Sequence, residues 1–483
     1  MAAAKEIVVL GGGISGLSLA YFLRQALPRA AAAGSRIRVI EATSSTGGWI
    51  HTAQRDGFVF EEGPRGFRPS RNGAEMLRLV EQLGLQQEMR AVDAAAKARY
   101  VLRNGRVEKL PSSLKEIVSW PLTPAVVRAG LHELFTPKTS LEDESIYDFI
   151  SRRFSPVVAE RLLDPVASGI FGGDIRYLSV RSCFQLLWDL EQQHGSVVRG
   201  MLFGGSKKDD VLLDGSRKSP FVSQHENSIS VSFRNGMSTL VQGLQQQIQE
   251  DASSELVLDT KARHLERASS GAEWRITIEN QSTGAEERIS ASHVFSTLPA
   301  FELAPLLSHA LPESAELLRS IRFVSMGTVH LGYNDAVLAS DGFGYLVPSC
   351  EKERVLGVVY DSNAFPSQNT TTPQTRLSVM CGGAHFPAIE QISTSELEAL
   401  ALDAVQRHLN IDATPDFVRS VVLRNCIPQY HVDFHRTVAA LETQLAGQQL
   451  SLGGNSLYGI GLADAVTRSK QLALAFARTV RES

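Results

Sequence analysis

Two glycine-rich stretches near opposite ends of this sequence have the residue types that bind anionic cofactors. The first, Gly11-Gly12-Gly13-Ile14-Ser15-Gly16, directly follows the apolar run from Ile7 to Leu10. In such a motif Gly11 allows a tight turn, Gly13 lets the backbone approach a diphosphate, and Gly16 lets a helix pack closely on a strand. The free N–H groups and the dipole of the following helix favour an anion at its N-terminus. We therefore predict a diphosphate site at this turn.

The elements around this turn fit a dinucleotide-binding unit. Leu17 to Leu27 is helical in character, and a second β-like run, Ile37 to Ile40, ends in Glu41, whose carboxylate can accept hydrogen bonds from ribose hydroxyls. The interval from the glycines to Glu41 is long, and we assign the excess to a helix end and loop over Ala30 to Gly34. The alternative is a glycine turn without a ligand, which the complete strand, helix and strand order disfavours.

Two further segments are predicted to lie beside the same cofactor. Gly47-Gly48-Trp49 follows Glu41 at an offset that brings its backbone close to the phosphates. Gly63-Pro64-Arg65 forms a rigid loop whose arginine is predicted to contact an anion, with an ordinary surface arginine as the alternative.

The second glycine-rich stretch lies near the end of the sequence. Strand-like Leu450 to Leu452 leads into a turn containing Gly454, Gly459, Ile460 and Gly461, and a helix is predicted from Leu462 to Val480. A second helix N-terminus can serve another part of the same extended cofactor. This second site favours FAD over NAD.

Composition limits the other function classes. A chain of 483 residues with 43% hydrophobic residues is expected to form two or three globular domains. The net charge of -4 gives no support for nucleic-acid binding, and no run of eighteen apolar residues predicts a membrane-spanning helix. The four cysteines form no CxxC pair and the twelve histidines no HExxH motif, so we predict neither a metal site nor a disulfide framework.

The order of elements predicts an α/β fold with a discontinuous nucleotide-binding domain. A Rossmann-like FAD-binding domain is assigned to residues 1–95, 220–300 and 440–483, because strand signals at 255–258, 275–278, 287–289 and 293–296 indicate a return to the first sheet. An inserted antiparallel-sheet substrate domain is assigned to 96–110 and 301–439, starting with a hairpin at Asn104-Gly105 and closed by a rigid turn at Arg424 to Tyr430.

Residues 111–219 are predicted to form a helical, membrane-associated domain. Strand signals vanish there, and Lys207 to Ser219 reads as a polar loop. Apolar residues flanked by basic ones are placed to dock on a bilayer surface, with internal packing as the alternative: Leu114, Ile117, Val118, Trp120, Leu122, Val126, Val127, Leu131, Leu134 and Phe135.

Together these residues resemble the flavin amine oxidase superfamily, and within it the protoporphyrinogen oxidases of the mitochondrial (animal and fungal) type. Trp49 after the glycine pair is typical of that branch, since amine oxidases usually carry an arginine there. The resemblance covers nearly the whole chain and rests on the opening motif, Gly47-Gly48-Trp49, Gly63 to Gly66, Gly169 to Gly173, Gly342 to Ser349, Val359 to Ser362, Asn425 to Tyr430 and Tyr458 to Asp464.

The resemblance implies oxidation of protoporphyrinogen IX to protoporphyrin IX, the penultimate step of heme biosynthesis, with non-covalent FAD, oxygen as acceptor and hydrogen peroxide as product. It implies cofactor contacts at Ala262 and Thr297, and a propionate contact at Arg99, whose guanidinium can bind a carboxylate bidentately. It further implies pocket walls at Phe343, Gly344, Leu346 and Met380, and a backbone position near the macrocycle at Gly169. No acid–base pair stands out, so no protein general base is assigned.

By the same resemblance the protein is a homodimer, peripherally attached to the mitochondrial inner membrane. Met1 to Glu6 leaves no room for a cleavable presequence before the first strand, so targeting is expected to be internal. The sequence departs from the family pattern at His51, where an arginine is common, at Ala262, where a branched aliphatic residue is frequent, and at Ser469, where a glycine is frequent.

Two other functions remain open at this point. An amine or polyamine oxidase often carries an active-site lysine in the strand equivalent to Gly327 to Tyr333. We match that lysine to Leu331 in this sequence. Monoamine oxidases attach flavin through a cysteine that Gly453 to Tyr458 lacks. A non-catalytic flavoprotein or tetrapyrrole carrier is disfavoured by the intact glycines of both turns and by Arg99.

Overall fold

The computed structural model describes residues 5–28, 34–70, 72–112, 115–116, 120–204, 211–268 and 273–482. Its strands are β1 Lys5–Leu10, β2 Ser35–Ile40, β3 Thr52–Arg55, β4 Phe58–Glu61, β5 Met89–Ala91, β6 Tyr100–Arg103, β7 Arg106–Lys109, β8 Val231–Phe233, β9 Ser254–Val257, β10 Thr260–Arg267, β11 Trp274–Asn280, β12 Glu286–Ala291, β13 His293–Ser296, β14 Arg322–Tyr333, β15 Gly344–Leu346, β16 Val355–Tyr360, β17 Thr375–Gly382, β18 Phe417–Gln429 and β19 Leu450–Leu452.

Helices connect these strands throughout the chain. The α-helices span Ile14–Ala26, Gly73–Gln82, Thr123–Glu133, Ile146–Arg153, Pro156–Val158, Asp164–Phe171, Val180–Cys183, Gln185–His194, Val197–Phe203, Pro220–His225, Ser238–Gln249, Ala300–Leu307, Pro312–Arg319, Asp361–Ala364, Thr394–Leu409, Phe434–Leu445 and Leu462–Glu482. None of the described helices is both long enough and apolar enough to cross a membrane.

A parallel five-stranded sheet, in the order β19-β13-β1-β2-β9, supports the first glycine turn. The central strand β1 is apolar and buried from Ile7 to Leu10 because both of its faces are covered, as is common in parallel sheets. The helices Ile14–Ala26 and Leu462–Glu482 pack together on one face. Buried Ser469 donates to the Ser15 carbonyl oxygen at 2.8 Å, so the serine found in place of the family's frequent glycine links these two helices.

The predicted return to this sheet is correct for two of the four strands. β9 and β13 join it, as the sequence predicts. The signals at 275–278 and 287–289 belong instead to β11 and β12, which form a separate antiparallel sheet with β10. β10, which the sequence did not predict, forms seven residue pairs with β11 and has a register shift between Ala262 and His264. Its apolar positions pack on the helix Ala300–Leu307.

A seven-stranded sheet in the order β18-β14-β17-β16-β15-β6-β7 forms the second large layer. Its pairs are antiparallel except β15 with β6, and the predicted hairpin turns at Asn104-Gly105, both with positive φ. The prediction of a rigid turn at Arg424 to Tyr430 is wrong, because Arg424 to Gln429 continue the edge strand β18. The Asn425 φ of 49° and a register shift opposite Val324 mark a bulge there, and an edge strand tolerates Pro428.

The segment between β7 and β8 is helical in its described part, as predicted. The predicted helix Leu114 to Trp120 lies mostly outside the described residues, as do Ala30 to Ala33 and part of the loop Lys207 to Ser219. A fully buried ion network holds this segment together: Arg153 donates to Glu133 at 2.6 Å and to Glu191 at 2.5 Å. The segment therefore has its own core of apolar and paired charged side chains.

Candidate cofactor and substrate site

A cavity of about 900 Å³ lies between the carboxyl edge of the five-stranded sheet and the seven-stranded sheet. Its position follows the rule that ligands of open parallel sheets bind outside the carboxyl ends of the strands. Sixteen of the predicted cofactor residues line it: Gly11, Gly13, Ile14, Ser15, Glu41, Gly48, Trp49, Gly63, Pro64, Arg65, Ala262, Thr297, Gly454, Ile460, Gly461 and Leu462.

The first glycine turn has the backbone that the motif predicts. Gly11 has a φ of 102°, which disfavours any other residue. A Cβ on Gly16 would lie 1.8 Å from the Gly11 carbonyl oxygen, so the helix approaches the turn too closely for a side chain. Thr297 donates from its backbone N and from Oγ1 to the Leu10 carbonyl oxygen, both at 2.9 Å, and so ties β13 to this turn.

Four predicted cofactor glycines do not line the cavity and instead shape its backbone. Gly12 donates its N–H to Glu41 Oε2 at 2.7 Å, and Gly47 donates to the Gly12 carbonyl oxygen at 2.9 Å. Gly16 gives the helix contact described above, and Gly459, with a φ of 102°, donates its N–H to the Tyr430 hydroxyl at 3.0 Å. These glycines position the turns that a cofactor would contact.

Glu41 is fixed at the cavity by its neighbours. Oε2 accepts from Gly12, and Oε1 accepts from the Thr43 backbone N at 2.9 Å and from Thr43 Oγ1 at 2.8 Å. A carboxylate has lone pairs beyond these three bonds. Glu41 therefore keeps free lone pairs at the cavity, and its binding of ribose hydroxyls stays a prediction.

The wall opposite the glycine turns is mainly apolar. Met326 and Thr328 of β14, Met380 of β17 and the β18 residues 423–427 line it, together with Gly169-Ile170 from the helical segment. Gly169 and Met380 were predicted. A Cβ on Gly169 would lie 2.7 Å from Leu346 Cδ2, so Leu346 packs directly behind Gly169 rather than on the cavity surface.

Two more of the predicted substrate residues, Phe343 and Gly344, lie outside the cavity lining. Gly344 has a φ of 137° and an added Cβ would lie 2.1 Å from the Val358 carbonyl oxygen, so strand pairing explains this glycine. The Arg99 guanidinium lies over the Phe343 ring, with Cζ 4.6 Å from the ring centroid. Neither residue lines the cavity.

Arg99 is half-buried next to the wall. Nη1 donates to the carbonyl oxygens of Ala96 at 2.6 Å and Ala98 at 3.3 Å. Burial lowers the pKa of Arg99, and no carboxylate pairs with it among the described residues. A carboxylate ligand would relieve this desolvated charge, although the structure places Arg99 outside the cavity lining.

Arg65 reaches the cavity between the two sheets. Nε donates to Asp361 Oδ1 at 3.2 Å, and Nη1 lies 3.7 Å from Met380 Sδ. Nη2 is buried and has no hydrogen-bond partner within the described part of the chain. A buried N–H left unbonded is costly, so this atom is suited to a ligand oxygen.

The structure also shows where the residues that bear on the amine oxidase alternative lie. Leu331 is fully buried in the core of the seven-stranded sheet, so its identity says nothing about the cavity, and this part of the sequence argument is wrong. Lys261 is the only lysine among the described lining residues, and it pairs with Glu302 at 2.9 Å near Ala262. His51 pairs with Glu62 at 2.6 Å at an exposed edge of the cavity.

Several lining residues were missed by the sequence reasoning. They are Leu298, Pro299, Phe301, Met326, Thr328, Leu423 and Ile427. Most come from strands that meet only through long-range pairing, so no local pattern identified them. Asp361, which lies behind Arg65, belongs to the segment Val359 to Ser362 noted for its resemblance but was given no role.

A cluster of potential metal ligands lies elsewhere, although the sequence predicts no metal. Asp143, Asp433 and His435 lie together in the described structure. Asp143 already accepts from Ser179 Oγ and from the backbone N of Asp433, both at 2.9 Å. These bonds join the helical segment to the helix Phe434–Leu445 and give Asp143 a structural explanation.

The lining residues fit an extended dinucleotide. Two helix N-termini, at Ile14 and Leu462, open into one cavity, and glycines expose the backbone at both turns. Glu41 and Ala262 line one part of the cavity. Arg65 offers an N–H group without a hydrogen-bond partner in another part of it. FAD, with its separate adenine, diphosphate and flavin parts, matches this distribution.

Comparisons with known proteins agree with this geometry. A sequence model of the family described as flavin containing amine oxidoreductase matches residues 14–461. Protoporphyrinogen oxidase of Bos taurus is 34% identical, and that of Homo sapiens 33%, each alignment covering 97% of this chain and 98% of the relative. A crystal structure of a putative protoporphyrinogen oxidase from Exiguobacterium sp. 255-15 shares the fold, with a TM-score of 0.79, 21% identity and 99% of both chains covered.

Proposed function

The chain belongs to the flavin-containing amine oxidoreductases and, within them, to the protoporphyrinogen oxidases, and we propose that it oxidises protoporphyrinogen IX to protoporphyrin IX. It is an FAD-dependent oxidoreductase. In the proposed reaction oxygen is the electron acceptor, hydrogen peroxide is formed, and the product serves heme biosynthesis. The observation that carries the proposal is the cavity of about 900 Å³ that joins both glycine turns to a mainly apolar wall.

The chain's residues would hold the cofactor from both ends. The N-terminus of the helix Ile14–Ala26 is suited to the diphosphate, Glu41 to the ribose and the turn before Leu462 to a polar part of the flavin. Bound FAD supplies the hydride acceptor and the route of electrons to oxygen. The protein's remaining work is to orient the substrate and exclude water, for which no side chain is assigned as general base.

The apolar wall is suited to the macrocycle. Met326, Met380 and Ile170 offer flexible apolar contacts, and methionine adapts to large irregular ligands. Gly169 lets its helix approach β15 closely, since a Cβ there would lie 2.7 Å from Leu346 Cδ2. We propose that Arg99, which is desolvated and lacks an acidic partner in the described structure, binds a propionate at the edge of this wall.

Replacement of Arg99 by alanine should raise the KM for protoporphyrinogen IX about tenfold or more, since a charge-assisted hydrogen bond is worth roughly 1.5–3 kcal/mol. FAD content should stay at the wild-type level. Steady-state porphyrin fluorescence and the flavin absorbance of the purified variant measure the two quantities. Arg106→Ala, at an exposed arginine of the same hairpin, is the matched control. Loss of FAD from the Arg99→Ala variant, or an unchanged KM, would show that Arg99 does not bind the substrate.

The function itself is tested with the purified holoenzyme. Addition of protoporphyrinogen IX in air should produce porphyrin fluorescence far above the spontaneous rate, together with hydrogen peroxide. An amine or polyamine oxidase would instead release peroxide with amine substrates and leave porphyrinogen oxidation at the spontaneous rate. A tetrapyrrole carrier would bind protoporphyrin IX and show neither activity.

We further propose that the protein attaches peripherally to a membrane, at the mitochondrial inner membrane by resemblance, and acts as a homodimer. The support is an apolar patch on the helical segment, comprising Val127, Leu131, Phe135, Met201, Leu202 and Phe203, each more than half exposed. Arg199 donates to the Leu134 carbonyl oxygen at 2.9 Å and holds the two helix ends of this patch together. Exposed apolar patches of this kind commonly mark membrane or protein contacts.

The double variant Phe135→Ser/Phe203→Ser should therefore lose most of its binding to anionic phospholipid vesicles. The two rings are 83% and 81% exposed, so their removal leaves the core intact. Vesicle cosedimentation measures binding, and light scattering measures the oligomeric state. Ile229→Ser, at an exposed apolar residue that is not part of the patch, is the control. Unchanged vesicle binding, or a dimer that the double variant converts to a monomer, would assign the patch to another role.

A further inference from the structure

A line of hydrogen bonds runs from the cavity wall into the core of the seven-stranded sheet. Arg65 Nε donates to Asp361 Oδ1 at 3.2 Å, and Ser378 Oγ donates to Asp361 Oδ2 at 2.6 Å. His330 Nδ1 lies 2.8 Å from Ser378 Oγ. Ser378 and His330 are completely buried and Asp361 is nearly so. The polar line therefore connects a cavity residue to groups that no ligand can reach.

The proton positions in this line follow from the acceptors. Ser378 has one hydroxyl hydrogen, which the Asp361 carboxylate accepts, so His330 Nδ1 must carry its own hydrogen and donate to Ser378 Oγ. Burial holds the pKa of His330 well below its ordinary value, and the nearby charges of Arg65 and Arg419 act in the same direction. The imidazole is therefore neutral, and every donor in the line is directed toward Asp361.

This arrangement fixes the direction of the Arg65 guanidinium. A guanidinium is planar, so the bond from Nε to Asp361 determines where Nη1 and Nη2 point. Nη1 is placed against Met380 and Nη2 is buried without a partner in the described structure. The loop Gly63-Pro64-Arg65 packs closely on the backbone of Trp49, since a Cβ on Gly63 would lie 1.7 Å from the Trp49 carbonyl oxygen, and Pro64 has a restricted φ. Both ends of the side chain are thus set before a ligand arrives.

We propose that Asp361 is a positioning residue, which aims Arg65 at a ligand oxygen in the cavity, and that Ser378 and His330 hold Asp361 in place. This inference rests on the proposed function, since it assigns a role within the same site. The ligand oxygen belongs either to bound FAD or to a substrate carboxylate, and the chemistry that Arg65 offers is the same for both. Preorganised donors of this kind lose no binding energy to reorientation.

Asp361→Asn tests the proposal, because asparagine keeps the volume of the side chain but presents an amide NH₂ to one of the two donors. If the ligand oxygen belongs to FAD, the dissociation constant of FAD should rise about tenfold or more and the flavin absorbance spectrum should shift. If it belongs to the substrate, FAD binding should stay within about twofold while protoporphyrin IX binds about tenfold more weakly. A tenfold change corresponds to about 1.4 kcal/mol.

Three further variants separate positioning from folding. Arg65→Gln should produce the same change as Asp361→Asn, and the double variant no more than Arg65→Gln alone, because both act through one guanidinium. Ser378→Ala should give a smaller change in the same direction, and it also replaces Asp361→Asn as the test if that variant does not fold. Asp341→Asn, at an exposed aspartate, is the control.

The proposal is overturned if the folded Asp361→Asn and Ser378→Ala variants bind both FAD and protoporphyrin IX within twofold of the wild type. Full additivity of Arg65→Gln and Asp361→Asn would overturn it as well. Both ligands are measured by equilibrium binding without turnover. A wild-type protein that fails to oxidise protoporphyrinogen IX would therefore count against the proposed function alone, and the binding comparison would still decide the role of Asp361.

Discussion

Replacement of Gly16 by alanine is expected to yield a folded protein that carries almost no FAD. The added Cβ would lie 1.8 Å from the Gly11 carbonyl oxygen, a backbone atom that cannot rotate away as a flexible side chain would. The helix Ile14–Ala26 would have to separate from the turn, and its N-terminal N–H groups would leave the diphosphate site. We expect a loss of affinity of about a hundredfold or more, roughly 2.7 kcal/mol. The ratio of flavin to protein absorbance after desalting measures it.

Gly130→Ala is the matched control for this substitution. Gly130 lies within the helix Thr123–Glu133, and no atom lies within 4 Å of a Cβ added there, so alanine should strengthen the helix by up to about 1 kcal/mol and leave FAD content unchanged. Wild-type FAD content in Gly16→Ala would show that the cofactor is not held at the first glycine turn.

Arg153→Met is expected to be the most destabilising single change in the helical segment. The guanidinium is the shared partner of Glu133 and Glu191, and all three side chains are completely buried. Methionine would leave the buried Glu133 without its counter-charge and Glu191 with only the partly exposed Arg152, 3.0 Å away. Breaking a buried ion pair costs about 3–5 kcal/mol. Chemical denaturation followed by circular dichroism measures the loss. Arg176→Met, which breaks a half-exposed pair with Glu160, should cost less than about 1 kcal/mol.

The same network gives the stability of the wild type a pH dependence. Burial opposes ionisation of Glu133, but hydrogen bonds from Ser196, the Val197 backbone N and Arg153 outweigh it and lower its pKa. A carboxyl whose folded-state pKa is lowered stabilises the fold above its unfolded value of about 4.3 and loses that contribution as the pH falls through the folded value. The free energy of unfolding should therefore fall below about pH 4, and less steeply in Arg153→Met. Equal slopes for both proteins would contradict this assignment.

The first nucleotide-binding unit was predictable because its signals are local. Glycine spacing, the apolar run of β1 and the acid after β2 are each fixed within a few residues, and the structure places Gly11, Glu41 and the helix as expected. The second glycine turn was predictable for the same reason. Ser469 was noted as a departure from the family pattern, and its bond to Ser15 depends on a helix pair more than 450 residues apart in the sequence.

The substrate side was predictable only in part, because it is built by long-range strand pairing. Met380 and Gly169 line the cavity, while Phe343, Gly344 and Arg99 lie behind its wall, a distinction that depends on how β15 and β6 pair. Leu331 does not occupy the lysine position of an amine oxidase site. Because β14 is buried on both faces, its sequence gives no signal for which residues point to the cavity. The same ambiguity concealed Met326 and Thr328. The segment Arg424 to Tyr430 contains Pro428, which both a turn and an edge strand accommodate, so its sequence does not distinguish the two.

Anaerobic mixing of the purified holoenzyme with protoporphyrinogen IX tests the central claim most directly. Without oxygen, electrons taken from the substrate must remain on the flavin, so the flavin absorbance near its visible maximum should disappear while porphyrin fluorescence rises. Admission of oxygen should then restore the flavin absorbance. Flavin that stays oxidised with protoporphyrinogen IX but is bleached by an amine would contradict the account.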